Sequence, residues 1–149
     1  MTTRSFTSNP LPHALIIAGV LPFVTGAVLL LSGVNSVPLL GSVVAATATY
    51  GLVITVFLTG IHWGQQLSLG QAAPGLFVSS NIIAVSVWLL WLFLSPRLFM
   101  VMLTIPMTIL LFIDFKLKQN NVIGFHYLRS RAVITAVAIA SLILSATSS

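Results

Sequence analysis

Few side chains in this sequence can hold or move charge: one carboxylate, three histidines and six Lys or Arg. Asp114 is the only acidic residue, so any counter-ion or general-acid chemistry must run through it. Histidine titrates closest to neutral pH of all side chains, and a His placed beside an acid suits proton handling. His62 is the candidate for that partner, with Trp63 next to it and Gln66 one helical turn on. Tyr127 and Arg129 add hydrogen-bond donors from a basic stretch that also holds Lys116, Lys118 and Arg131. His62, Trp63, Gln66, Asp114, Tyr127 and Arg129 therefore form the candidate functional cluster, able to bind a proton or a small polar or anionic ligand. Two structural roles compete for Asp114: a pair with Lys118 one turn on, or a bridge to Arg129 or Arg131 that pins the basic stretch.

Most catalytic chemistries lack their parts here. Cysteine is absent, carboxylates cannot pair, and no Gly-rich phosphate cradle or nucleophile elbow occurs. His13, His62 and His126 never sit three or four residues apart, so no helix presents two of them to one metal or haem. No metal and no cofactor is expected, and an enzyme ranks third among the readings.

The elements that must position the cluster follow from composition. Of 149 residues, 58% are hydrophobic and 5% charged, against about 25% charged in soluble domains. Disorder, a disulfide-stapled module and a nucleic-acid-binding domain are excluded by the apolar content, the absence of cysteine and the lack of a dense basic patch. A bilayer core about 30 Å thick needs roughly 20 apolar residues per helical crossing. About five such runs occur, near residues 13–32, 39–62, 75–94, 98–115 and 132–146. They do not alternate in polarity as barrel strands must. The expected fold is all-α: one integral membrane domain over residues 1–149, a bundle of five transmembrane helices.

Five crossings place Arg4, Lys116, Lys118, Arg129 and Arg131 on one side and Arg97 alone on the other. Short loops rich in Lys and Arg stay in the cytoplasm, which puts the N-terminus inside and the C-terminus outside. Every histidine and the only acid then fall at the cytoplasmic end. The basic loop carrying Lys116, Lys118, Arg129 and Arg131 is expected to attract anionic lipid headgroups, worth about 1 kcal/mol per charge. The first apolar run is too long for a signal peptide and the N-terminus too poor in Arg for an organelle presequence. A bacterial inner membrane is favoured over a mitochondrial one.

Within the second run, Thr47, Gly51, Thr55 and Thr59 repeat every four residues, a small-residue stripe that lets helices approach. At about 100° per residue His62 joins that stripe and should point into the bundle. Gly51, Thr55, Thr59 and Asn81 are the expected helix-packing residues, with Asn81 near the depth of Thr55 and able to bond to it. Pro22 and Pro106 each remove a backbone donor and should kink the first and fourth helices, freeing carbonyls for neighbours. Tyr50 falls near mid-bilayer, where its hydroxyl needs a partner on another helix. The tryptophans match the aromatic belts at headgroup level.

Gly60, Ile61, His62, Trp63 and Gly64, with Pro22, Asp114 and the stretch Tyr127, Leu128, Arg129, Ser130, Arg131, resemble the transmembrane protein 69-like family. The likeness spans nearly the whole chain. It implies a small bacterial or mitochondrial inner-membrane protein of about five helices, in which His62, Trp63, Asp114 and Arg129 matter, and it implies no activity. His126 stands where family members often have Trp. Two functions remain in view. The first is an accessory or assembly subunit of a larger membrane complex, which needs no catalytic residue. The alternative is a proton or small-ligand binding or transport protein using His62 and Asp114.

Overall fold

The computed structural model describes residues 11–69, 75–120 and 122–148. Six helices follow in order: α1 (Leu11–Ala18), α2 (Leu21–Leu31), α3 (Val43–Leu69), α4 (Gly75–Phe93), α5 (Pro96–Gln119) and α6 (Phe125–Thr147). A two-stranded antiparallel hairpin, β1 (Ser36–Val37) and β2 (Gly41–Ser42), lies between α2 and α3. Four of the helices, α3 to α6, are long and apolar enough to cross a membrane. The protein is an all-α multi-pass bundle, with short connections that turn each long helix back along its neighbour.

Over residues 13–32, where one crossing kinked at Pro22 is expected, the chain breaks fully into α1 and α2. Pro22 sits in the first turn of α2 and cannot donate to the carbonyl of Ala18. Phe23 donates to Val20 instead of to Gly19, so the Gly19 carbonyl is released from the helix. The Tyr50 hydroxyl of α3 donates to it at 2.9 Å. The freed carbonyl and the tyrosine hydroxyl thus satisfy each other. Phe23 packs edge-on against the Tyr50 ring, 5.0 Å between centroids.

The other spans keep their places but not their ends. α3 begins four residues after the expected Leu39 and runs seven past His62; α5 and α6 extend to Gln119 and back to Phe125. The sixteen-residue basic loop is therefore mostly helix, with residues 120–124 alone between α5 and α6. Only α4 matches its apolar run closely. α5 continues through Pro106, which is buried.

The core is assembled from Phe23, Val87, Phe99, Met100, Leu103, Leu110 and Leu142, while a long series of Leu, Val, Ile and Phe side chains faces outward. That inversion is what a bilayer permits, since lipid tails are as apolar as the core. Close approach between helices rests on small residues. A side chain at Gly51 would meet Leu103 Cδ2 at 2.5 Å, and one at Gly26 would run into Thr47. Asn81 departs from its expected role. It is exposed and donates to Phe77 of its own helix, while Thr55 donates to Gly51.

Candidate functional site

Three long helices bring one ionisable group each to a common level. His62 lies seven residues before the end of α3, Asp114 five before the end of α5, and Arg131 six after the start of α6. At 1.5 Å per residue these positions are roughly 7–11 Å inside the helix ends. All three side chains are buried. His62 Nε2 lies 2.9 Å from Asp114 Oδ1, and Arg131 Nε donates to Asp114 Oδ2 at 3.1 Å. One carboxylate therefore ties three helices together with both of its oxygens.

Each member reaches this place through helical periodicity. On α3, Thr47, Gly51, Thr55, Thr59, His62 and Gln66 fall on one buried face. On α6, Leu128, Arg131, Thr135, Ala138 and Leu142 do the same. On α5, Asp114 continues the buried line of Met107 and Leu110. The carboxylate is unsolvated and needs its partners; a buried charge is tolerated in such a place only when paired and hydrogen-bonded.

The sequence-derived cluster divides accordingly. His62 and Asp114 come together. Arg129 does not join them: it is exposed, and Arg131 takes the place at the carboxylate. Two residues apart on a helix means about 200° of rotation, so the two guanidiniums face opposite ways. Lys118 is not the partner of Asp114 either. Lys116 instead lies over the Phe112 ring, 4.9 Å from its centroid. Trp63, 41% exposed, points away from the triad and packs edge-on against Phe77 of α4. Gln66 is buried one turn beyond His62, and Tyr127 is half-buried one turn before Arg131. The side chain of His13 lies outside the described residues.

Two atoms at this level are buried without a hydrogen-bond partner among the described residues: His62 Nδ1 and Ser80 Oγ. Ser80 is five residues into α4, which runs back along α3, so it stands at about the height of His62. When Nε2 donates to Asp114, Nδ1 carries a lone pair and is an acceptor. Asp114 and Arg131 already cancel each other's charge. A proton added at Nδ1 would change the formal charge of the triad from zero to +1.

Beside Arg131 the bundle opens into a cleft of about 480 Å³ between α1, α2, α3 and α6. Tyr127, Arg131 and Thr135 are its polar wall, and aliphatic and aromatic side chains form the rest. The same end of the molecule carries Lys116, Lys118, Arg129 and Arg131, whereas Arg97 opens α5 at the opposite end.

Residues 8–147 match the sequence profile of DUF3429, described as a protein of unknown function. The chain belongs to that family. No curated protein and no solved structure matches it. The match covers all six helices of this DUF3429 protein from within its N-terminal segment to Thr147, so the residues of the triad all lie inside the family's domain.

Proposed function

We propose that this DUF3429 protein is a small membrane protein that binds a proton, linked to a polar ligand, at the His62–Asp114–Arg131 triad. The observation that carries this reading is the buried His62 ring, bonded through Nε2 to the only carboxylate and left with Nδ1 unpartnered among the described residues. A purely structural counter-ion for Arg131 would need Asp114 alone. Leaving a buried nitrogen without a partner costs about 1–3 kcal/mol, so a histidine kept in this state implies a transient partner for it. Ionisable groups inside a membrane bundle are costly to bury and so mark candidate functional sites.

The setting we infer is a bacterial inner membrane with the triad end at the cytoplasm. Support comes from four cations at that end against Arg97 at the other and from the resemblance to the transmembrane protein 69-like family. The accessory-subunit reading draws on the chain's small size and the same basic end, but the buried triad gives it no particular support. Anionic lipid headgroups remain the partners proposed for Lys116, Lys118 and Arg129, which lie at the helix ends.

The test is the ring of His62 itself. In chain labelled with 15N-histidine and reconstituted in a phosphatidylcholine bilayer, the His62 signals are assigned by their loss in His62→Gln. Lowering the pH is expected to convert the Nδ1 signal from the acceptor to the N–H pattern. A ring that holds one form throughout would make the triad a structural clamp.

A further inference from the structure

We propose that the cleft beside the triad binds one long-chain carboxylate, its head on Arg131 and Tyr127 and its hydrocarbon tail between α2, α3 and α6. The inference rests on reading the triad as a binding centre and names the class of ligand it serves.

The head is specified by how Arg131 is used. Its guanidinium has five N–H donors, and Asp114 engages it through Nε. The two terminal amino groups make no hydrogen bond among the described residues, yet the side chain lines the cleft. That free end is the planar fork that receives a carboxylate with two parallel bonds. Tyr127 stands one turn earlier on the same face of α6 and lines the same cleft, with a hydroxyl that also bonds to no described residue. Asp114, which accepts from Nε, holds the guanidinium in place. With four cations and one acid at this end of the bundle, the local charge favours an anion.

The tail is specified by the remaining walls. Below Thr135 the cleft is bounded by Phe23, Ile54, Leu58, Met107, Ile134 and Ala138, which offer no charge and no hydrogen-bonding side chain. Its volume, about 480 Å³, falls within the roughly 300–1,000 Å³ of small-molecule sites. The break between α1 and α2 contributes Gly19 to the lining, beside Leu15 and Ile16 of α1. A polar mouth level with the helix ends and an apolar slot running toward the bilayer centre fit a molecule that is ionised at one end only.

The probe is palmitate labelled with 13C at the carboxyl carbon, added to full-length chain carrying 15N-arginine in phosphatidylcholine nanodiscs. A dipolar contact between the palmitate carboxyl and an arginine side chain is expected near one equivalent. Ile134→Trp, which fills the slot without touching the ion pair, should weaken binding at least tenfold, and Tyr127→Phe severalfold. Methyl palmitate, with the same tail and no charge, should show no contact. Overturning results are absence of a saturable contact, a contact that survives Ile134→Trp, equal behaviour of the ester, or displacement of palmitate by phosphatidylglycerol in the disc, which would assign the slot to a phospholipid. The His62 titration is read on the same samples. If His62 titrates and palmitate makes no contact, the ligand class falls while the proton site stands; a palmitate contact beside a ring that never titrates gives the reverse.

Discussion

Asp114→Ala should be the most damaging single substitution in this protein, lowering stability by about 3–5 kcal/mol, the scale for removing one partner of a buried ion pair. The size follows from what is left behind. Arg131 would stay buried with no counter-ion, and His62 would lose the acceptor at its Nε2. The expected observation is a large fall in the midpoint of unfolding in mixed micelles, or loss of the protein from membranes. A double change separates the charge from its packing. In Asp114→Asn with Arg131→Met, the amide oxygen still accepts from His62 and no charge is stranded, and replacing buried ion pairs by neutral groups of similar volume is often nearly neutral in stability. That double variant should recover most of the lost stability. A double variant as unstable as Asp114→Ala would show that the ion pair itself holds the bundle together.

The second large effect lies far from the triad. Gly26→Val should destabilise by about 1–3 kcal/mol, the usual cost of overpacking a close contact. A Cβ there would sit 3.2 Å from Thr47 Cβ and 3.1 Å from its Cγ2, and closer still to its hydroxyl. Thr47 is β-branched and buried, and with only two χ1 rotamers open to it in a helix it can relieve no more than part of the clash. α2 would have to retreat from α3, loosening the Tyr50 bond to Gly19. Thr47→Ala in the same chain should restore part of the midpoint. Gly60→Ala is the control, because nothing lies within 4 Å of the added atom; removing a glycine from a helix interior is expected to be neutral or slightly stabilising. Equal losses at both glycines would contradict the packing assigned to α2 and α3.

How far the sequence announces this arrangement depends on the physical signal that each feature leaves. Hydropathy finds α4 because its apolar content stops where the helix stops. It fails at the ends of α3, α5 and α6, where the backbone stays helical through Gln65, Gln66, Lys116, Lys118 and Arg129. Length in a bilayer measures lipid contact, and helices continue past it. The small-residue stripe on α3 signals the burial of His62, since a four-residue spacing marks one face. It does not signal Gly26, whose role is visible only when Thr47 is set opposite. Depth alone matches Asn81 to Thr55, but depth says nothing about azimuth, and Asn81 faces outward.

The choice between Arg129 and Arg131 is the sharpest case. Chain neighbours with the same charge look alike in composition, which leaves both open as the bridge to Asp114. The information was nevertheless present: Leu128, Arg131, Thr135, Ala138 and Leu142 form a three-and-four-residue progression that Arg129 does not join. Lys118 shows the converse error. Its spacing from Asp114 is ideal for a local pair on an isolated helix, worth about 0.2–0.5 kcal/mol. Burial of Asp114 among three helices selects the partners across the bundle instead.

Because the chain has a single acidic side chain and it is Asp114, labelling aspartate with 13C at Cγ gives one carboxylate signal without assignment. Dipolar dephasing of that signal in a reconstituted bilayer, by 15N placed in turn in histidine, arginine or lysine side chains, measures who holds it. Strong dephasing by one histidine and one arginine is expected, matching contacts of 2.9 and 3.1 Å, with both lost in His62→Gln and Arg131→Met respectively. Dephasing by a lysine, or by an arginine signal that persists in Arg131→Met, would contradict the triad on which the proposed function stands.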